Sequence, residues 1–249
     1  MKRSDIAASE AGGMAASKKP TPKALAVQLS SVSVGGGSKG TLHDVSLSIE
    51  STSQIALVGP RGSGKSALLA CIAGKKKPSS GKIQASGRLS TVEQKFEVNE
   101  SHTAIENVLD GVRTRRKWRT KLFGIPNAKQ AQAQELLQSF GVRPERKAEG
   151  LSPKERVLVA IARALMEEPD ILLVDEPISG LSFRDSDEVL GLFREQITNR
   201  KLTSIIVLNN FSLAGKHSDR VIALEKGIIV YDGTNIDPWP ERRVSPGMF

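Results

Sequence analysis

Two short stretches of the sequence hold side chains suited to phosphate chemistry. The first, GPRGSGKS at residues 59–66, fits the pattern G-x-x-x-x-G-K-[ST], with an apolar segment before it and a helical segment after it. Glycines let such a loop wrap a phosphate with backbone N–H groups, and the following helix adds its positive N-terminal dipole. In this pattern Lys65 reaches the β- and γ-phosphates of a nucleotide, and the Ser66 hydroxyl binds Mg²⁺. The predicted phosphate-binding residues are Gly59, Pro60, Arg61, Gly62, Ser63, Gly64, Lys65, Ser66 and Ala67.

The second stretch, ILLVDEP at residues 171–177, places two acids directly after four apolar residues. A buried strand would therefore end in Asp175 and Glu176, at the edge where open parallel sheets bind their ligands. We expect Asp175 to hold Mg²⁺ through its coordination shell and Glu176 to polarise the attacking water. A pair of acids at a strand end is common in isolation, but after a glycine-rich phosphate loop it indicates nucleotide hydrolysis.

The elements that must position these residues alternate between strands and helices. Strands are predicted in QIALV, ILLV, SIIVL, VIAL and IIV, and QIALV has the continuous apolar character of a strand buried on both faces. SALLACIAG predicts a short helix after the loop. ALAVQLSSVSV and VSLSIE predict two strands flanking a GGGSKG turn. Residues 102–150 are polar and basic with a helical pattern, which indicates a helical insertion between core strands.

Composition narrows the class of protein. No apolar run approaches the roughly 20 residues that span a bilayer, so a membrane role must come through partners. The single cysteine, Cys71, excludes an intramolecular disulfide and is expected to be a core residue. The net charge is +9, and VRTRRKWRTK at 112–121 concentrates much of it around Trp118. This segment is either a solvated face or a contact for lipid head groups. RNA is a weaker option, because aromatic residues make up only 4% of the chain.

The motifs together resemble the ATP-binding subunit of ATP-binding-cassette (ABC) proteins. The resemblance spans residues 24–232 and rests on ALVGPRGSGKS, STVEQ, LSPKERVLVAIARAL, ILLVDEPISGL and SDRVIALEKGIIVYDG. It implies an α/β fold with a P-loop NTPase core of mostly parallel strands, an N-terminal antiparallel β-subdomain and an inserted helical subdomain. The predicted domain covers residues 24–234, with the helical subdomain at about 97–155 and tails at 1–23 and 235–249.

The resemblance also implies a mechanism. Two cassettes would close head to tail on two ATP molecules with Mg²⁺, as a homo- or heterodimer, and would drive transmembrane permease subunits. Gln94 would touch Mg²⁺ or the attacking water, and Ser152 would contact the nucleotide held by the partner cassette. The chain would lie in the cytoplasm, attached peripherally to the inner face of the cell membrane.

Four positions depart from the family pattern. In LSPKE at residues 151–155, Pro153, Lys154 and Glu155 replace two glycines and a glutamine. Proline lacks an N–H but suits the first turn of a helix, so Ser152 is a candidate N-cap. In the other three departures, Asn210 replaces the family's histidine, Ser182 replaces its aspartate, and Val34 replaces the aromatic residue that stacks on adenine.

These departures weaken the half of the site that a partner uses or that senses the γ-phosphate. The Asn210 amide can still donate to a γ-phosphate but cannot carry a charge or shuttle a proton. His217 is interpreted as a surface histidine and not as its substitute. We therefore expect nucleotide binding with slow or partner-dependent hydrolysis.

Three functional hypotheses remain open. The first is a transporter ATPase subunit, because the helical part resembles phosphonate and branched-chain amino-acid importers. The second is a soluble ABC-type ATPase acting on a protein or nucleic-acid complex, because GRLSTVEQKFEVNE looks more like exporters or translation factors. The third is a nucleotide-sensing adaptor that does not hydrolyse ATP. A single cassette favours the transporter and makes nucleic acid the less favoured partner.

Overall fold

A computed structural model describes residues 24–35, 41–115 and 124–234 of the chain. Nine strands are described, β1 to β9, and their bounds are Leu25–Val34, Leu42–Glu50, Gln54–Val58, Ser80–Ala85, Leu89–Val92, Ile171–Val174, Thr203–Val207, Arg220–Glu225 and Ile228–Gly233. Six α-helices are described, α1 to α6, and their bounds are Lys65–Ile72, Ala104–Arg115, Asn127–Ser139, Pro153–Met166, Phe183–Asn199 and Phe211–His217. The predicted tails and residues 116–121 of the basic segment, including Trp118, lie outside the described residues.

The central sheet has six strands in the order β5-β6-β7-β3-β8-β9. All neighbouring pairs are parallel except β8 and β9, which form an antiparallel hairpin. The order shows that β3, which leads into the phosphate loop, lies between β7 and β8 in the middle of the sheet. Strands β1, β2 and β4 form a separate antiparallel sheet. The predicted α/β fold, with its mostly parallel core and N-terminal antiparallel sheet, is confirmed.

The central strands β3, β6 and β7 are buried at every position because both faces of the sheet are covered. On β3, Ala56 and Val58 pack in the core formed with α2, α3, α4 and α5. The alternate residues Ile55 and Leu57 pack on the other face, against α1 and the antiparallel sheet. Side chains alternate along a strand, so burial on both sides requires the continuous apolar runs seen in the sequence.

The helix that follows the phosphate loop, α1, lies beneath the antiparallel sheet. Cys71 on this helix is 3% exposed and belongs to the same core, as expected. Burial raises the pKa of its thiol, with nearby Lys76 acting in the opposite direction. None of the helices in the described parts of the chain is long and apolar enough to cross a membrane.

Candidate functional site

The phosphate loop follows β3 and its backbone requires glycine at two tight positions. Gly59 has φ +143°, and a Cβ there would lie 2.1 Å from the Leu224 carbonyl oxygen. Gly64, just before α1, has φ +107°, and its Cβ would lie 2.4 Å from the Thr41 carbonyl oxygen. Any side chain would therefore clash with neighbouring backbone, and the glycines let the loop curl against β8 and the start of β2.

Lys65 is folded back into the loop that it terminates. Its side chain is 4% exposed, and its ammonium donates hydrogen bonds to the carbonyl oxygens of Gly59 at 2.7 Å and Pro60 at 2.9 Å. Burial lowers the pKa of Lys65, although Glu176 and Asp175 both act to raise it. The structure thus holds this ammonium at the centre of the loop, where a bound phosphate would meet it.

Asp175 and Ser66 form an oxygen-donor pair between the end of β6 and the start of α1. Burial raises the pKa of the Asp175 carboxyl, and the Ser66 hydroxyl opposes this by hydrogen bonding to it. The Asp175 Oδ1 atom is buried and has no hydrogen-bond partner among the described residues. Hard oxygen ligands of this kind are the ones that Mg²⁺ prefers. The residues therefore fit the predicted magnesium site.

Glu176 and Gln94 meet because β5 and β6 are parallel neighbours. Val92 pairs with Val174, so both chains leave the sheet at the same edge. The Gln94 amide donates a hydrogen bond of 3.0 Å to Glu176 Oε2. Glu176 has φ +45°, a backbone conformation uncommon for residues other than glycine and enriched at functional sites.

A cleft of about 320 Å³ joins these groups, and its lining residues are Thr41, Arg61, Gly62, Gly64, Lys65, Ser66, Ala67, Gln94 and Glu176. The predicted residues Gly59, Pro60 and Ser63 belong to the same loop but do not line the cleft. Ser63 is 3% exposed, with a buried hydroxyl that has no partner among the described residues. Sequence reasoning missed Thr41, and its one signal was its position at the end of the GGGSKG turn.

Ser152 lies away from this cleft, at the start of α4. Its hydroxyl accepts from the Glu155 N–H at 3.3 Å, and its own N–H donates to Glu155 Oε2 at 2.7 Å. Ser152 is thus the N-cap that the sequence suggested, and with Glu155 it forms a capping box that follows from the structure. Partial burial opposes ionisation of Glu155, but hydrogen bonds from Ser152 and the charge of Arg146 hold its pKa below the ordinary value.

The charges of the LSPKE segment are balanced within the chain. Arg146 donates to Glu155 Oε1 at 3.0 Å. Lys154 donates to both carboxylate oxygens of Glu188 at 3.0 Å, so Glu188 on α5 neutralises the positive charge that Lys154 brings to this segment. Because the carboxylate of Glu155 already occupies the start of α4, an incoming anion would meet a negative charge there.

Two other departures from the pattern also act as helix caps. Asn210 Oδ1 accepts from the Leu213 N–H at 3.0 Å at the start of α6. Ser182 caps α5, where its hydroxyl accepts from the Asp185 N–H at 3.1 Å. These polar side chains satisfy backbone donors that every helix start leaves open. The amide N–H₂ of Asn210 is the part of that side chain left to face a ligand.

The structure buries two residues that the sequence analysis considered, His217 and Val34. His217 is not a surface histidine, because its side chain is only 9% exposed and its Nε2 lies 2.8 Å from Asp187 Oδ1. That interpretation was wrong, because the ring packs beside α5 and little of it reaches solvent. Val34 is 2% exposed in the core under the antiparallel sheet, so its side chain faces the interior and not the cleft.

The fold and the cleft together define a P-loop nucleoside triphosphatase. A glycine-rich loop and its lysine connect the central strand β3 to α1, and two acids follow β6, which β7 separates from β3 in the sheet. Comparison with known proteins makes the class more specific.

Residues 42–179 match the family model described as ABC transporter. The phosphonates import ATP-binding protein PhnC 2 of Synechococcus sp. (strain JA-2-3B'a(2-13)) is 34% identical over 227 residues, covering 84% of this chain and 82% of that protein. The phosphonates import ATP-binding protein PhnC of Frankia casuarinae is also 34% identical, covering 83% of this chain and 89% of that protein. The chain belongs to the ABC transporter family and is an ATP-binding subunit of it.

Solved structures agree on the fold. The crystal structure of an ABC transporter cassette in its ADP conformation superposes with a TM-score of 0.75 at 22% identity, covering 86% of this chain and 92% of that one. A dimeric cassette in a post-hydrolysis state, bound to ADP and Pi, gives a TM-score of 0.69 at 25% identity and covers 84% of this chain and 98% of that one.

Proposed function

We propose that this chain binds ATP with Mg²⁺ and couples partner-dependent hydrolysis to the movement of separate membrane permease subunits. One observation carries the proposal: Lys65, Ser66 and Glu176 line one cleft, and Ser66 and Asp175 line the cavity beside it. The groups that bind and attack a triphosphate within one subunit are therefore together.

In the proposed mechanism, the loop N–H groups and the Lys65 ammonium bind and orient the β- and γ-phosphates. Ser66 and Asp175 would hold Mg²⁺, which when bound would supply positive charge to the phosphate oxygens. Gln94 donates to Glu176 Oε2, which leaves Oε1 free to accept a proton from the attacking water. Glu176 lines the cleft, and its hydrogen bond from Gln94 fixes the orientation of the carboxylate there.

A second cassette would have to supply the missing half of the site. Ser152 is the predicted contact to a partner's nucleotide, but its hydroxyl already caps α4 and Pro153 has no N–H to offer. Two copies of this chain would make two weak sites, so we favour a heterodimer in which the other cassette provides a signature helix with free donors. The dimeric relative bound to ADP and Pi supports assembly in pairs.

A membrane partner is supported by the named relatives and by a second cleft. The relatives are phosphonates import ATP-binding proteins, which supports an import subunit at the inner face of the cell membrane. A groove of about 390 Å³ lies beside Gln94, and its lining residues are 91–93, 95–97, the α4 residues Ala160, Arg163 and Ala164, and Glu167 just after that helix. Its position next to Gln94 would let a docked permease segment reach the catalytic edge.

Two measurements test the proposal. Co-purification of the tagged chain with integral membrane proteins from detergent-solubilised membranes separates a transporter subunit from a soluble ATPase. Steady-state ATPase assays then compare the wild type with Glu176→Gln, alone and with the co-purified partner. Loss of a general base lowers turnover about 10²- to 10⁴-fold, and ATP binding should survive.

Glu135→Gln is the matched control, because Glu135 is an exposed carboxylate on α3 outside the cleft. Its turnover should equal that of the wild type. If the wild type and Glu176→Gln were equally inactive with every partner, the chain would be a nucleotide-sensing adaptor and the catalytic proposal would fail.

A further inference from the structure

Arg61 places an uncommitted guanidinium at the mouth of the nucleotide cleft. It is the third residue of GPRGSGKS and is exposed. A hydrogen bond of 3.2 Å from Ser63 N–H to the Pro60 carbonyl closes a turn around it. Arg61 lines the cleft together with Lys65 and Glu176. Across the described parts of the chain, its side chain makes no hydrogen bond or ion pair.

The charge around the cleft explains why a second cation is useful there. Asp175 and Glu176 bring two carboxylates to the catalytic edge, and both act on the pKa of Lys65. Lys65 is the one buried cation beside them within the described residues. A triphosphate with bound Mg²⁺ still carries net negative charge, so Lys65 alone would leave an excess of negative charge. The guanidinium of Arg61 brings the protein side of the cleft to balance.

The LSPKE segment, which would face the partner cassette's nucleotide, adds no free positive charge to the site. In LSPKE the Glu155 carboxylate fills the start of α4, and Lys154 is paired with Glu188. Neither offers a free positive group to a terminal phosphate. A cation supplied by the same subunit that binds the nucleotide would replace what this segment lacks.

We propose that Arg61 is a catalytic residue of this ATPase, contacting the terminal phosphate of the nucleotide bound by its own subunit. The inference rests on the proposed function. Arg61 shares the cleft with Gln94 and Glu176, the residues placed to orient water in front of that phosphate. The planar fork of a guanidinium suits two phosphate oxygens at once.

Arg61 would act in the hydrolysis of the γ-phosphate by water. A bond forms between the water oxygen and the γ-phosphorus, and the bond from that phosphorus to the bridging oxygen breaks. The electron pair stays on the leaving ADP, and the proton passes to Glu176. Arg61 binds the equatorial oxygens, which carry the charge of the transferring group.

The test compares nucleotides that differ by one phosphate. Titration calorimetry with Mg²⁺ measures the Kd of AMP-PNP and of ADP for the full chain. Arg61→Ala should weaken AMP-PNP binding about 10- to 100-fold, the usual range for a lost charge-assisted hydrogen bond, and should change ADP binding less than threefold. Arg61→Lys, which keeps the charge but loses the fork, should fall between the wild type and Arg61→Ala.

Lys82→Ala is the control, because it removes an exposed cation on β4 away from the cleft and should leave both Kd values unchanged. Equal weakening of AMP-PNP and ADP in Arg61→Ala, or no weakening of either, would overturn the inference while leaving the proposed function intact. A wild-type chain that bound neither nucleotide would overturn both.

Discussion

The hydroxyl of Ser152 can be removed without disturbing the other half of the capping box at the start of α4. Ser152→Ala deletes the acceptor of the Glu155 N–H at 3.3 Å but keeps the backbone donor to Glu155 Oε2 at 2.7 Å. The melting temperature of this variant therefore tests the first of two roles for this serine. One is the helix cap that the structure shows, and the other is the predicted contact to a partner's nucleotide.

The expected cost follows from the geometry of the lost bond. Replacing a serine N-cap by alanine costs about 1 kcal/mol of unfolding free energy, and a long hydrogen bond places this case near the lower end, at about 0.5–1 kcal/mol. For a domain of this size, 1 kcal/mol shifts the melting temperature by roughly 2–4 °C. We therefore expect Ser152→Ala to melt about 1–4 °C below the wild type.

Thermal unfolding followed by circular dichroism measures the shift, with Ser152→Asn as the matched variant. Asparagine is an equally good N-cap, so it should melt within about 1 °C of the wild type. Ser86→Ala, at an exposed serine outside any helix, should also match the wild type. An unchanged melting temperature in Ser152→Ala, or an equal loss in Ser152→Asn, would refute the capping role.

Two further predictions concern the loop and the pH dependence of stability. Gly64→Ala should cost more than about 2 kcal/mol and abolish nucleotide binding, because its Cβ would clash with the Thr41 carbonyl at 2.4 Å. Gly62→Ala has open space around its Cβ and should show only the backbone cost of about 1–2 kcal/mol; equal melting temperatures for the two variants would contradict the clash. The folded-state pKa of Glu155 is lowered, so its stabilisation is present above the unfolded value of 4.5 and is lost as pH falls through the folded value. Glu155→Gln should destabilise the protein by about 0.5 kcal/mol at pH 7 and flatten the fall in stability at acid pH, and parallel pH–melting curves would contradict this.

Sequence periodicity predicted the central strands well because both faces of the sheet are buried. The apolar runs QIALV and ILLV coincide with β3 and β6, and every residue of both is buried. Strand β5 was missed, since Leu89–Val92 is only half buried at the sheet edge and its run is interrupted by polar residues. Helices α5 and α6 were not predicted either. Their starts depend on the N-caps Ser182 and Asn210, which the sequence analysis considered only as departures from the family pattern.

The residues with which the chain binds its own nucleotide were predictable from motifs, because they are close together in the sequence or directly follow a predicted strand. The electrostatics of the site were not predictable in this way. Arg146 neutralises Glu155 at 3.0 Å from nine positions away, and Lys154 finds Glu188 on another helix. Such pairs depend on how α4 packs against its neighbours. The sequence alone left Lys154 as a free cation, and the structure assigns it a partner inside the chain.

The single cysteine of this chain gives the loop helix a built-in reporter. Cys71 is 3% exposed on α1, and burial raises the pKa of its thiol, so the folded state shields it from alkylation. The rate at which an alkylating reagent modifies Cys71 therefore reports how often local opening separates α1 from the antiparallel sheet. A nucleotide bound at the start of α1 stabilises the state in which this helix is packed against the sheet. Alkylation of Cys71 should therefore slow as more of the protein binds nucleotide. The wild-type protein thus needs no added label, because the alkylation rate of Cys71 measures how strongly nucleotide binding stabilises the phosphate loop and α1.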